Sequence, residues 1–307
     1  MDFVISCYQA LAKFYDAVYN RYILLYKGEF MKTVSNKTFD SERVFYGEND
    51  IFISDCIFDG PSDGESALKE CNNIVIESCR FHLRYPFWHN NGLKIQNSQM
   101  YETCRAPLWY SSHICIFDSK LCGVKALREC SDVKLENCDI VSPEFAWFVD
   151  GITVTRCSAE GEYMFLRSNN LHFSNFEMRG KYSFQYITDS YFENCSFDTK
   201  DALWHADNVY VKNCSVKGEY LGWYCKNVTF ENCIISGTQP LCYCENLKLI
   251  NCEMTDCDLA FEKSSVDATL TKPIISIKNP LSGKICVPQA EQIIFDEEWA
   301  KGSVLLS

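Results

Sequence analysis

The chain has 307 residues, 47% of them hydrophobic, so it is long enough to bury a sizeable core. Its 41 acidic and 29 basic residues leave a net charge of −12, which argues against nucleic acid as a partner because nucleic acid is bound through basic patches. Nineteen cysteines in a chain of this length do not describe a small disulfide scaffold.

Residues 1–30 form the first predicted unit. The stretch from Phe3 to Tyr26 has the pattern of an amphipathic helix, and two interpretations of it stay open. It is either a helix that caps the open end of the fold or an extension translated from an early start codon. In the second case Met31 is the usual first residue of the protein. A secretory signal is excluded, because charged residues interrupt the apolar stretch that a signal peptide needs. These residues are Asp2, Lys13, Asp16 and Arg21.

No stretch of the chain approaches the roughly 20 consecutive apolar residues that cross a bilayer, so we expect no membrane contact. Without export the thiols stay reduced, and we therefore expect a cytoplasmic protein. The odd number of cysteines fits this expectation, because at least one thiol has no partner within the chain.

A repeat begins near residue 50. The segment Val133–Ile140 (VKLENCDI) recurs with similar residues at 74–81, 209–216, 228–235 and 247–254. The positions equivalent to Cys138, which we call the anchor column, are separated by 23, 19 and 21 residues and then by 19 at every step. They are Cys56, Cys79, Ser98, Ser119, Cys138, Cys157, Phe176, Cys195, Cys214, Cys233 and Cys252.

Within each unit apolar residues alternate with a period of two, which predicts short strands. One residue before the anchor lies a column dominated by Asn, and Asn tolerates the left-handed conformation of a sharp bend. We also expect stacked Asn side chains to hydrogen-bond along the repeat. The members of this bend column are Asn97, Asn137, Asn175, Asn194, Asn213, Asn232 and Asn251.

These features predict an all-β fold, a single-stranded parallel β-helix with about 11–12 coils of 19 residues over 31–272. The right hand is favoured by the general bias of parallel crossovers. A leucine-rich repeat has a similar length, but its Leu-rich consensus and helical stretch are missing. Residues 273–307 break the 19-residue spacing and are predicted to form a C-terminal cap.

The anchor cysteines should point inward and stack. A second inward column lies eight residues upstream and contains Cys71, Cys130, Cys225 and Cys244. The favoured interpretation is that Cys serves as a small hydrophobe suited to tight stacking. A metal or iron–sulfur site would need clustered ligands such as Cys-x2-Cys, which the chain lacks, so we predict no metal site and no cofactor.

Five of the six tryptophans share one column of the repeat, the Trp column: Trp88, Trp109, Trp147, Trp204 and Trp223. The next column is again aromatic or polar and includes His89, His205, Tyr224 and Tyr243. A contiguous aromatic face usually marks a binding surface, and flat rings suit sugars. The alternative is that the rings only stabilise the sheet by stacking, or are covered by the N-terminal helix or a second subunit. The pattern leaves open which of the two columns faces outward.

Polar residues precede this face and are candidates for chemistry. Asp201 and Glu219 lie on adjacent coils, and a carboxylate pair about 5–10 Å apart can hydrolyse a glycosidic bond. His205 is the best candidate for a general base. Such charges are more often solvated surface, so catalysis is the weaker interpretation. The other polar members are Arg84, Arg105, Glu144, Glu162, Lys181, Lys200 and Gln239.

Seven segments resemble a bacterial domain-of-unknown-function family whose members are pectin-lyase-like, right-handed parallel β-helices. The segments are GESALK (64–69), RYPFW (84–88), YSFQ (182–185), TKDALW (199–204), GEYLGW (218–223), TQPLCY (238–243) and DLAFE (258–262). The resemblance implies the fold and no established activity. Some members carry the label hydrogenase, which the missing metal-ligand clusters contradict here. A pectate lyase is disfavoured because no long loop insertions interrupt the repeat.

Two functional hypotheses follow. The first is a protein that binds a carbohydrate or a similar ligand through Trp88, Trp109, Trp147, Trp204, Trp223, Tyr224 and Tyr243. If it also acts on that ligand, its reaction is of the glycoside hydrolase or polysaccharide lyase type. The second is a non-enzymatic scaffold whose aromatic face docks another chain or a second copy in a homo-oligomer.

Overall fold

The structure is a computed structural model that describes residues 31–306. The predicted helix from Phe3 to Tyr26 lies outside the described residues. Every regular element within residues 31–306 is a β-strand. None of these residues belongs to a helix long and apolar enough to cross a lipid bilayer.

The strands stack in parallel on two main faces, with a short third side that completes each coil. The first face holds the longer strands. These are Lys32–Ser35, Asn49–Ser54, Asn72–Glu77, Asn91–Gln96, Ser112–Phe117, Ser131–Glu136, Asp150–Thr155, Asn169–Ser174, Thr188–Glu193, Asp207–Lys212, Lys226–Glu231, Leu247–Thr255, Ser265–Leu270, Ser282–Val287 and Ser303–Leu306.

The second face holds shorter strands and shares Leu247–Thr255 with the first. These strands are Thr38–Phe39, Ile57–Phe58, Arg80–Phe81, Gln99–Met100, Lys120–Cys122, Asp139–Val141, Ser158–Glu162, Glu177–Lys181, Ser196–Lys200, Ser215–Lys217 and Ile234–Ser236. Four further strands pair outside the two faces: Leu108–Trp109 with Leu127–Arg128, and Ile274–Lys278 with Ala290–Ile294.

The strand register confirms the predicted repeat. Ile51 pairs with Ile74, Ile74 with Leu93 and Leu93 with Ile114, which are steps of 23, 19 and 21 residues. The pairs from Ile114 with Val133 to Leu247 with Val266 step by 19. The fold is the predicted right-handed parallel β-helix, and each coil lies in register on the one before it.

The β-helix has about 14 turns, more than the 11 or 12 predicted from spacing. Stacking continues beyond residue 272, where Ser265–Leu270 pairs with Ser282–Val287 and that strand pairs with Ser303–Leu306. Ser265 pairs with Ser282, a step of 17 residues, so the local coil is shorter while the parallel pairing persists. With about 4.8 Å between neighbouring strands, 14 turns make a rod roughly 65 Å long.

The inward columns form one continuous core. The column that precedes the Trp column is fully buried: Leu68, Phe87, Leu108, Leu127, Phe165, Phe184, Leu203 and Leu241. Aromatic rings of this column stack on each other: the ring centres of Phe165 and Phe184 are 5.0 Å apart, and their planes are only 4° from parallel. The core thus repeats along the rod in the same way as the backbone.

The bend column adopts the predicted left-handed conformation. Its seven asparagines have φ between 49° and 54° and are Asn97, Asn137, Asn175, Asn194, Asn213, Asn232 and Asn251. The steric penalty of this conformation is smaller for Asn than for β-branched residues. Each bend turns the chain from the first face to the second and directs the following anchor residue inward.

The anchor column does more than fill space. A bend removes the backbone N–H of the anchor residue from the strand ladder, and at five anchor positions the anchor side chain of the next coil accepts it. The N–H of Cys138 donates to Sγ of Cys157 at 3.2 Å, and the N–H of Cys79 donates to Oγ of Ser98 at 3.0 Å. The Cys157 thiol in turn donates to the carbonyl of Thr155 at 3.3 Å. Buried N–H groups are thereby satisfied between coils.

The second inward column behaves similarly. The N–H of Val149 donates to Oγ of Ser168 at 2.9 Å, and the N–H of Cys244 donates to Oγ of Ser264 at 2.9 Å. Burial raises the pKa of Cys130 to about 12, so this thiol is protonated at neutral pH. These contacts support the structural interpretation of the cysteines.

Candidate functional site

The short third side of each coil positions the aromatic residues. In the coil around residue 204, Leu203 points into the core, Trp204 is half-buried and His205 is exposed. His205 has a φ of 57°, so the chain bends sharply there before the next strand of the first face. The same sequence of buried, half-buried and exposed positions recurs at Phe87, Trp88 and His89. Both aromatic columns therefore lie at the surface, and the second is the more exposed one.

The Trp column is held by hydrogen bonds and stacking. Nε1 of Trp88 donates to the carbonyl of Ala106 at 2.7 Å, and Nε1 of Trp204 donates to that of Tyr220 at 2.7 Å. Trp109, Trp147 and Trp223 bond in the same way to carbonyls of Lys125, Tyr163 and Gln239. Each indole N–H thus fastens the third side of one coil to the turn that enters the next.

The indole rings lie across the rod axis. Trp88 and Trp109 stack at 5.0 Å with planes 3° apart, and Trp204 and Trp223 stack at 5.5 Å and 6°. The guanidinium of Arg128 fills the gap between Trp109 and Trp147, at 5.3 and 5.2 Å from their ring centres. The spacing of the coils brings the rings to stacking distance.

The exposed column, which we call the outer column, contains His89, Tyr110, Phe148, Tyr186, His205, Tyr224 and Tyr243. Its longest unbroken stack runs from Tyr186 through His205 and Tyr224 to Tyr243, with ring centres 4.7, 5.0 and 5.0 Å apart. Arg167 covers the free face of Tyr186 at 4.6 Å. Tyr186 and Tyr224 are 41% and 42% exposed, so the stack forms a contiguous aromatic surface.

This arrangement corrects the expectation that sugars would lie flat on the rings. The ring faces along each stack are covered by the neighbouring rings, so mainly their edges meet solvent. The edges of the outer column carry phenol hydroxyls and an imidazole, which donate and accept hydrogen bonds. The phenol oxygens of Tyr186, Tyr224 and Tyr243 have no hydrogen-bond partner within residues 31–306, whereas that of Tyr46 donates to Glu70 at 2.6 Å.

The three candidates for catalysis lie on two adjacent coils, in different environments. The N–H of Asp201 donates to the carbonyl of Glu219 at 2.9 Å, which places the two residues on adjacent coils as predicted. Asp201 is only 6% exposed, and burial raises the pKa of its carboxyl group. Glu219 is exposed and forms an ion pair with Lys200, in which Nζ of Lys200 lies 2.8 Å from Oε2 of Glu219. His205 lies between the rings of Tyr186 and Tyr224.

A buried carboxyl group with a raised pKa has the property of a general acid, and Asp201 is the group here that shows it. Glu219 is engaged with Lys200, and the turn charges Lys181 and Glu162 also pair with each other, at 2.9 Å. Most of these polar residues thus form exposed ion pairs, which contribute little to stability. Within the described residues, no group of three His, Cys, Asp or Glu side chains could hold a metal ion.

Sequence reasoning missed a groove, lined by polar and apolar residues, at the bend between the two main faces. It has a volume of about 430 Å³ and is lined by residues of four consecutive coils, including Asn194, Ser196, Asn213 and Ser215. The signal in the sequence is the triplet Asn-Cys-Ser at 194–196 and 213–215. The sequence pattern predicts Asn as a bend residue that hydrogen-bonds to its stacked neighbours, and it assigns no role to the Ser.

Residues 32–305 match the family described as "Protein of unknown function (DUF3737)", so the chain belongs to this family. The match confirms the resemblance noted from the sequence. No curated protein matches the chain.

Among solved structures, three similar ones are a phage tailspike, a bacterial adhesin and an epimerase module. The tailspike protein of E. coli bacteriophage HK620 has 10% identity and a TM-score of 0.46, and covers 83% of this chain, which spans 62% of the tailspike chain. PfbA, a surface adhesin of Streptococcus pneumoniae, has 8% identity and a TM-score of 0.41, covering 81% and 83%. The Azotobacter vinelandii mannuronan C-5 epimerase AlgE6 A-module has 10% identity and a TM-score of 0.39, covering 90% of each chain.

Proposed function

We propose that this member of the DUF3737 family is a carbohydrate-binding protein whose site is the part of the outer column from Tyr186 to Tyr243. The observation that carries the proposal is the stack of four rings, three of them exposed, with unpartnered phenol hydroxyls at its edge. Exposed aromatic surface of this extent usually marks an interaction site. A sugar offers many hydroxyl groups that donate and accept, which matches phenol and imidazole edges.

The charge of the protein favours a ligand that does not itself carry a high negative charge. The chain carries a net charge of −12, and the nearby Lys200 is already paired with Glu219. A polyanionic glycan would therefore find no free cluster of cations beside this stack. Asp201 adds a buried carboxyl group close to the site, and it is the residue that would supply a proton if the bound glycan is also cleaved.

A test compares two matched pairs of substitutions. His205→Asn with Tyr224→Asn removes the centre of the stack, while Asn remains compatible with the positive φ of both positions. His89→Asn with Tyr110→Asn is the control, because these rings stack at 5.0 Å in the same column but outside the proposed site. Glycans retained by the unsubstituted protein on an array should be lost by the first variant and kept by the control.

Titration of the retained glycans, followed by the fluorescence of Trp204 and Trp223, gives the affinities. Equal affinity of both variants would refute the proposed site, and so would the absence of any retained glycan. Light scattering on the same samples tests the alternative of self-association. A dimer that dissociates in the His205 and Tyr224 variant, with no glycan bound, would assign the outer column to docking of a second copy.

A further inference from the structure

The groove at the bend between the two main faces is a second candidate for a binding site. Its wall is formed by the bend column and by the residues that begin the second-face strands. The principal polar lining residues are Asn175, Asn194, Asn213, Asn232, Ser196 and Ser215, and Cys195, Cys214 and Ile234 add apolar surface. The anchor residue between each Asn and Ser is buried, so the two polar residues of a coil flank an inward-pointing side chain.

Polar groups in the groove are largely unused by the fold. The side-chain amides of Asn175 and Asn194 and the hydroxyls of Ser196 and Ser215 have no hydrogen-bond partner among residues 31–306. One bond links the amides at the far end, where Nδ2 of Asn232 donates to Oδ1 of Asn213 at 3.3 Å. The groove therefore presents free donors and acceptors over several coils.

Some members of the same columns are engaged elsewhere along the rod. Nδ2 of Asn137 donates to Asp118 at 3.0 Å, while its Oδ1 accepts from Nε of Arg156 at 2.9 Å. The hydroxyl of Ser158 donates to Asp139 at 2.9 Å. Charged neighbours in those coils use up the amide and hydroxyl groups. In the groove, four successive Asn residues replace such neighbours in the bend column, which leaves the groups open to a ligand.

The chemistry of the lining selects the ligand class. Amide and hydroxyl groups each donate and accept, so they complement a chain of hydroxyl groups. The lining offers no Lys or Arg to a phosphate, sulfate or uronate, and Glu177 lies at its edge. Equivalent groups recur with the strand spacing of about 4.8 Å, which suits an extended polymer lying along the rod axis.

We infer that this groove binds a neutral, linear oligosaccharide along the rod axis. The site is separate from the outer column, since it lies at the bend after each first-face strand, whereas the outer column lies at the bend before it. The inference goes beyond the proposed function and stands on its own residues. The two sites can therefore succeed or fail independently.

The experiment titrates cellohexaose and maltohexaose into protein labelled with ¹⁵N, with the Asn side-chain amide signals as the readout. Asn194→Gly with Asn213→Gly removes two amides, and Gly accepts the positive φ of these positions. Asn97→Gly with Asn251→Gly is the control, because both residues share the bend column and its φ but lie outside the groove. Ser196→Ala with Ser215→Ala is a milder variant that leaves the bends unchanged.

At least one of the two oligosaccharides should shift the Asn194 and Asn213 amide signals. Its affinity should fall about tenfold or more in the groove variants and stay within about twofold in the control. The variant lacking His205 and Tyr224 should retain this binding, which separates the result from the outer-column proposal. Failure of both oligosaccharides to bind at millimolar concentration would overturn the inference, as would equal binding by the groove and control variants.

Discussion

Replacing Cys157 by Ala or Ser tests whether the anchor cysteines act as hydrogen-bond acceptors. Sγ of Cys157 accepts the N–H of Cys138 at 3.2 Å, and both residues are buried. Cys157→Ala leaves this N–H without a partner, at a cost of about 1–3 kcal/mol. The lost sulfur adds about 1 kcal/mol, the value for a buried group the size of a methylene.

Cys157→Ser should restore most of the free energy that Cys157→Ala loses by leaving the Cys138 N–H without a partner. Serine already fills this role in the anchor column, where Oγ of Ser98 accepts the N–H of Cys79 at 3.0 Å. We therefore expect Ser to retain about 1–3 kcal/mol more of the free energy of unfolding than Ala does. If Cys instead acts only as an apolar filler, Ala should be the better replacement, because it buries no hydroxyl group.

Urea unfolding followed by circular dichroism measures the difference in the free energy of unfolding, and hydrogen exchange of the Cys138 amide localises it. Exchange of that amide should be faster in the Ala variant than in the Ser variant. Cys122→Ala is the control, because Cys122 is half-buried and lies outside the anchor column. Equal stability of the Ala and Ser variants, with equal exchange of the Cys138 amide, would refute the acceptor role.

Two further predictions concern Asp201 and Gly237. Burial raises the pKa of Asp201 above its ordinary value of 3.8, so its charge opposes folding at pH 7. Asp201→Asn should raise the urea midpoint at pH 7, and the gain should vanish as acidification protonates Asp201 in the parent; a lower midpoint at pH 7 would contradict this. A Cβ at Gly237 would lie 2.1 Å from the Gly218 carbonyl oxygen, whereas Gly47 has open space around it. Gly237→Ala should therefore lower stability by about 1–3 kcal/mol more than Gly47→Ala, measured by the same unfolding assay, and equal losses would contradict the close approach.

The fold was predictable because a β-helix repeats its environment at a fixed spacing. Leu135 and Ile140 recur as apolar columns, and the structure buries them in the core. The Asn bend column was predictable from backbone sterics, which favour Asn at positive φ. Stacking beyond residue 272 was missed because coils of unequal length, such as the 17-residue step from Ser265 to Ser282, leave no period in the sequence.

The candidate site was less predictable, because its properties depend on side-chain direction. The period placed Trp204 and Trp223 in one column, but it could not show that their planes lie 6° apart and cover each other. The period also could not show which Asn side-chain amides are hydrogen-bonded within the described residues, as that of Asn137 is, and which are not, as that of Asn194. The cytoplasmic localisation and the two domain boundaries, after residues 30 and 272, stay predictions.

The bonds between anchor residues of successive coils give the rod a modular length. A donor in one coil meets an acceptor at the same position of the following coil, usually 19 residues later, as Cys195 meets Cys214. The contact depends on position within the coil and not on position along the rod. Duplication of residues 207–225 in the gene would therefore insert one complete coil with its donors and acceptors in place. Lengthening by whole coils is an evolutionary step that this architecture accepts without redesign of its core.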